Sequence, residues 1–183
     1  MEREKLAGAV KSITWGYILL HLNFNLGTLN ILPNWLGYVL MIKALPILGN
    51  DEPSAPLLRP LGIILALWEG VLWALAIFGG SLDNVIVSVI GSVLALYFHF
   101  QLLTNLASIA EKHACPQQKS ILTLRTVRTI LITVLTLPVP WQHYQALVIG
   151  VVVVQLAVAL WICSVLFSLR RSLTEPESEP VEG

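Results

Sequence analysis

Six apolar segments can be threaded through a membrane so that all eleven Lys and Arg residues fall on one side of it. Arg3, Lys5 and Lys11 precede the first segment, and Lys43 and Arg59 flank the connection after the second. Lys112, Lys119, Arg125 and Arg128 lie in the middle, and Arg170 and Arg171 follow the last segment. Cytoplasmic loops of membrane proteins carry the Lys/Arg excess, so both termini are expected in the cytoplasm. With 183 residues, 56 % hydrophobic and 12 % charged, the chain has too few charges to cover a water-soluble globule. The expected fold is an all-α integral membrane bundle of six transmembrane helices, arranged as three hairpins in a single domain over 1–171.

A spanning helix needs about 20 predominantly apolar residues at a rise of 1.5 Å each. On that measure the segments run over 12–29, 35–48, 61–80, 85–109, 126–137 and 147–169. The fifth is the shortest. If it merely lay on the surface, the sixth would run the other way and carry Arg170 and Arg171 outside, against the charge rule. The charged start followed by an apolar stretch resembles a secretory signal, but Ala7-Gly8-Ala9 precedes the apolar core, so an uncleaved first helix is expected. The residues 172–183, with Glu175, Glu177, Glu179 and Glu182, have no apolar surface to bury and are expected to form a disordered acidic cytoplasmic tail. Trp15, Trp35, Trp141 and Trp161 are expected near the interfaces, and Lys43 near enough to one to snorkel.

Ionisable groups inside spans are costly and raise a functional question by default. Glu69 lies eight residues into the third segment, roughly 12 Å from its cytoplasmic end. His99 on the fourth segment and His21 on the first fall at similar depth, so His21, Glu69 and His99 form a candidate intramembrane polar layer. Helical spacing places Thr14, Tyr17, His21, Asn25 and Thr28 on one face, Ser88, Ser92, Ala95 and His99 on another, and Thr126, Thr129, Thr133 and Thr136 on a third. Two readings compete. Small and hydroxylated residues at such intervals let membrane helices pack, and a Glu or His can fix a bundle by hydrogen bonding. The same groups can also relay a proton or bind a cation or small polar solute.

Enzyme signatures are absent: no His-Glu-x-x-His, no Gly-x-Ser-x-Gly, no Gly-rich phosphate loop. No metal site or cofactor is expected. The Glu111-Lys112-His113-Ala114-Cys115-Pro116 run reads as a solvated turn, and Cys115 and Cys163 as unpaired. Without a basic patch, nucleic acid is not an expected partner; the expected partners are the lipid bilayer and a second copy or another membrane protein.

The stretch from Asn25 to Tyr38 contains Ile31-Leu32-Pro33, three further residues, then Gly37-Tyr38. It resembles a segment near the N-terminus of a group of small, uncharacterised, multi-pass bacterial membrane proteins. In that group an Asp often follows the Pro, where this chain has Asn34. The resemblance covers some fourteen residues and implies a bacterial cytoplasmic membrane location without an activity. Physically the stretch reads as a helix-break turn, in which Pro33 stops the incoming ladder while Asn30 and Asn34 satisfy freed backbone groups. Two functions follow as expectations: a non-catalytic membrane scaffold or partner subunit, or else a small transporter or channel for a proton, cation or small polar solute.

Overall fold

A computed structural model of the chain describes residues 2–21, 25–26, 29–30, 33–80, 84–136 and 145–174. Among them are six α-helices: α1 (Glu2–His21), α2 (Asn34–Leu48), α3 (Arg59–Ile77), α4 (Val85–Lys112), α5 (Gln118–Thr136) and α6 (Gln145–Thr174). A 3-10 turn at Ala55–Leu58 runs directly into α3. Between α1 and α2, the short strands β1 (Asn25–Leu26) and β2 (Leu29–Asn30) pair antiparallel, with Asn25 opposite Asn30 and Leu26 opposite Leu29. Three stretches are long and apolar enough to cross a membrane: Ala55–Ile77, Val85–Lys112 and Ile149–Thr174. The chain is an all-α membrane protein on that ground.

Several boundaries differ from expectation, each for a local reason. The first helix stops at His21 and not at Leu29. Asn and Gly have low helix propensity, and Asn25 and Asn30 pair through their backbones in the β1–β2 ladder instead. At its other end the helix begins at Glu2, because Glu2 and Glu4 suit the positive end of the helix dipole. α5 begins at Gln118, not Thr126, since the Lys, Leu and Arg residues there are good helix formers. Arg125 and Arg128 therefore sit inside a helix. α6 continues to Thr174, so residues 172–174 of the expected tail are helical. Residues 81–83 and 137–144, with the Trp141 anchor among them, Thr28 and the tail beyond Thr174 lie outside the described residues; Asn25 and Asn30 enter only through their backbone.

The core sits at one end of the bundle. Leu6, Leu48, Leu102, Leu106, Ile109, Ile121 and Leu169 are almost wholly buried there. These residues come from the start of α1, the end of α2, the end of α4, the start of α5 and the end of α6, so neighbouring helices run antiparallel. At the opposite end the apolar side chains face outward: Phe78 is 87 % exposed and Val85 73 %. Large aliphatic and aromatic groups left bare in that number need hydrocarbon around them.

The packing order also corrects one expectation. α1 packs closely on α2 and on α6, α2 on α3, and α4 on α5, while the expected hairpin pairs α3–α4 and α5–α6 meet only loosely. In lipid, exposing Val and Ile costs nothing relative to pairing them, so helices associate where small residues or hydrogen bonds hold them and diverge elsewhere. The α1–α2 crossing is such a place. A Cβ added to Gly16 would lie 2.8 Å from the Gly37 carbonyl oxygen, and one added to Gly37 would lie 2.7 Å from that of Gly16.

Candidate functional site

The three expected polar residues divide between two places. His99, on the buried face of α4, is 1 % exposed. Its Nδ1 lies 3.2 Å from the Tyr17 hydroxyl of α1 and its Nε2 lies 3.4 Å from the Tyr38 hydroxyl of α2. A neutral imidazole offers one donor and one acceptor, and a hydroxyl can be either, so the two tyrosines satisfy the ring completely. The Phe98 ring closes the group edge-on, 5.4 Å from the imidazole and 5.7 Å from Tyr38. His21 joins from the end of α1, its Nδ1 donating to the Tyr17 carbonyl oxygen at 2.8 Å. The structure thus brings both His21 and His99 against Tyr17, their rings 6.0 Å and 5.2 Å from its own.

Glu69 goes elsewhere. On α3 it accepts a hydrogen bond from Asn34 Nδ2 at 3.1 Å, and among the described residues it shares no hydrogen bond or ion pair with either histidine. One of the expected turn residues is therefore the partner of the expected acid. Pro33 caps α2 in an extended conformation, and its carbonyl oxygen accepts from the Leu36 amide at 3.1 Å, which sets Asn34 at the first turn facing α3. Glu69 also borders an open cleft of about 250 Å³ between α3 and α4, together with Trp68, Ser88, Gly91 and Ser92.

A second cavity, larger and not foreseen, opens between α1, α5 and α6. It holds about 600 Å³ and is lined by Arg128, His21 and Gln155 among Leu20, Ile132 and Leu156. The two arginines of α5 have different fates. Arg125 lies over the Phe100 ring at 4.6 Å and donates to the Thr104 hydroxyl at 3.1 Å. Arg128, read in the sequence as a residue of the cytoplasmic side, makes no hydrogen bond or ion pair among the described residues, and its Nε is buried without a partner. An arginine side chain buried with no hydrogen-bond partner for its Nε calls for an explanation. The sequence held a signal: Gln155 interrupts a run of Val, Leu and Ala in α6.

Polar side chains also order the packed end of the bundle. The Glu52 carboxylate accepts from Ser108 at 2.6 Å and from Ser54 at 3.1 Å, with Lys112 Nζ at 3.8 Å. These bonds, the Ser108 one foremost, hold its carboxyl below the usual range. The single Ser54 hydroxyl hydrogen is shared between Glu52 and Asn105 Oδ1, and the latter accepts from Gln101 as well. Lys112 donates to the Asp51 carbonyl oxygen, and His113 Nε2 lies 3.5 Å from the Asp51 carboxylate. In the run 111–116, Glu111, Lys112, Ala114 and Pro116 are exposed as a solvated turn requires, while His113 is drawn to Asp51 and Cys115 is buried, which pushes its thiol up. The 4-3-4 spacing of Gln101, Asn105, Ser108 and Lys112 on α4 was the sequence signal for this network. Both cysteines are free, and no cluster of three metal-ligating side chains occurs among the described residues.

No known protein family, curated protein or solved structure matches this chain. The chemistry of these groups is therefore the ground for a functional reading.

Proposed function

We propose that the chain is a non-catalytic component of a bacterial cytoplasmic membrane, a scaffold or partner subunit that spans six times with both termini inside. One observation carries the functional part: His99, the most deeply buried of the candidate polar groups, is satisfied by Tyr17 and Tyr38 from two other helices. A relay needs a group that exchanges its partner during turnover. A ring held on both nitrogens instead fixes the positions of α1, α2 and α4, as polar groups do when they bind membrane helices together.

The six-span arrangement draws support from where the charges fall. Arg3 and Lys112 meet the same packed end of the bundle, beside Asp51, and Lys119 and Arg171 lie at the corresponding ends of α5 and α6. A membrane inner surface fits that end. With Cys115 and Cys163 replaced by Ala, Gly80→Cys is expected to react with a membrane-impermeant thiol reagent added to intact cells, whereas Lys119→Cys and Thr174→Cys react only after permeabilisation. Labelling of position 174 from outside would mean an odd number of spans.

The cleft beside Glu69, with Ser88 and Ser92, favours a second reading as a small cation or proton carrier. Glu69→Gln separates the two. The amide side chain keeps a hydrogen bond to Asn34, so a structural Glu69 predicts an unchanged melting temperature and an unchanged set of co-purified membrane proteins. A carrier predicts gradient-driven flux in liposomes that the substitution abolishes at intact fold. Flux by the wild-type protein, lost in Glu69→Gln, overturns the scaffold reading.

A further inference from the structure

We infer that the cavity between α1, α5 and α6 is a binding site for an anionic phospholipid, with Arg128 as the head-group anchor. The ligand chemistry follows from the lining. Arg128 brings a cation with no carboxylate, hydroxyl or carbonyl bound to it among the described residues, and its buried Nε lacks an acceptor. Gln155 and His21 stand beside it. The Gln155 amide offers both a donor and an acceptor. The His21 ring has its Nδ1 committed to the Tyr17 carbonyl oxygen, so in the neutral ring Nε2 accepts. One cation, one amide and one acceptor imidazole fit a phosphate oxyanion that carries a hydroxyl nearby. A guanidinium with five donors in a planar fork is suited to a phosphate diester.

The rest of the lining is apolar, with Leu20, Leu131, Ile132, Val152 and Leu156, and so demands a hydrocarbon body behind the head. The approach is lipidic as well. α5 and α6 meet loosely, and on the cavity wall Val152 is 56 % exposed and Leu156 47 %, which makes the path into the cavity a path through bilayer and not through water. Volume decides against a partner's helix. At roughly 10–12 Å across, a helix would fill about 600 Å³ in little more than one turn, whereas a head group and the top of one chain fit within it. Basic pockets between membrane helices commonly take anionic head groups. The site is compatible with either function proposed above and rests only on the membrane location.

The shared chemistry is a phosphate oxyanion, which could come from lipid or from free phosphate. The test therefore uses full-length protein reconstituted in nanodiscs of phosphatidylcholine with an equal part of phosphatidylglycerol, extracted into mild detergent and examined by native mass spectrometry. One phosphatidylglycerol is expected to stay bound in preference to phosphatidylcholine. Arg128→Gln is expected to reduce that retention at least about tenfold, the scale of a lost hydrogen bond to a charged group. Val152→Trp, at an exposed position on the cavity wall, leaves the charge and fills the space, and is expected to reduce retention too. It carries the test if Arg128→Gln does not fold. Equal retention of the two lipids, or retention unchanged in either folded variant, overturns the proposal. Inorganic phosphate raising the melting temperature as far as the lipid does would overturn the lipid assignment in favour of a soluble anion.

Discussion

Gly37→Val is expected to abolish accumulation of folded protein in the membrane, the largest effect of any single substitution considered. A Cβ at position 37 falls 2.7 Å from the Gly16 carbonyl oxygen and 2.9 Å from Leu20 Cγ. The oxygen belongs to the ladder of α1 and cannot step aside, so α1 and α2 must separate. Overpacking typically costs about 1–3 kcal/mol where neighbours can yield, and here the neighbour is backbone. Separation also removes Tyr17 and Tyr38, one residue from Gly16 and Gly37 respectively, from the histidine they share. Total stabilities of about 5–15 kcal/mol leave little room for such a loss. Fluorescence-detected size exclusion of a tagged protein in mild detergent would measure it. Gly150→Val is the matched control, because a Cβ there meets nothing within 4 Å, and it is expected to elute as wild type. A normal profile for Gly37→Val would mean that the two helices tolerate a wider crossing.

That crossing shows where the sequence was legible and where it was not. Apolar run length and charge placement identified six helices, because a membrane imposes both on the local sequence. Gly37, read as part of a turn motif, matters for helix approach, and nothing local says which helix a glycine will face. Depth estimates put His21, Glu69 and His99 in one layer, but depth carries no azimuth. Tyr17 binds both histidines, one through its carbonyl oxygen and one through its hydroxyl, and Glu69 faces Asn34 instead. Arg128 was missed as a cavity residue for another reason: a helix start was inferred from hydropathy, while α5 begins well before its first long apolar run. Hydropathy marks where a helix enters lipid, not where its hydrogen-bond ladder starts.

His99→Leu provides the second large effect and tests whether the cluster exists to hold helices. The substitution nearly conserves volume but strands two buried hydroxyls, on Tyr17 and Tyr38, whose only side-chain hydrogen-bond partner among the described residues is the imidazole. A buried polar group left unpaired costs about 1–3 kcal/mol, although hydrogen bonds between membrane helices average only about 0.6 kcal/mol when their loss can be made good. Three helices converge here, so little can be made good, and a loss of about 2 kcal/mol or more is expected from thermal or denaturant unfolding in detergent. Adding Tyr17→Phe and Tyr38→Phe to His99→Leu removes the stranded hydroxyls, and most of the lost stability is expected to return. Non-additivity of that sign is the mark of one hydrogen-bonded unit. If the triple variant is no more stable than His99→Leu alone, the three side chains do not act together and the bundle is fixed elsewhere. A triple variant that folds and assembles with its partners as wild type would leave His99 only the structural role; one that folds but loses a cellular phenotype would return it to chemistry.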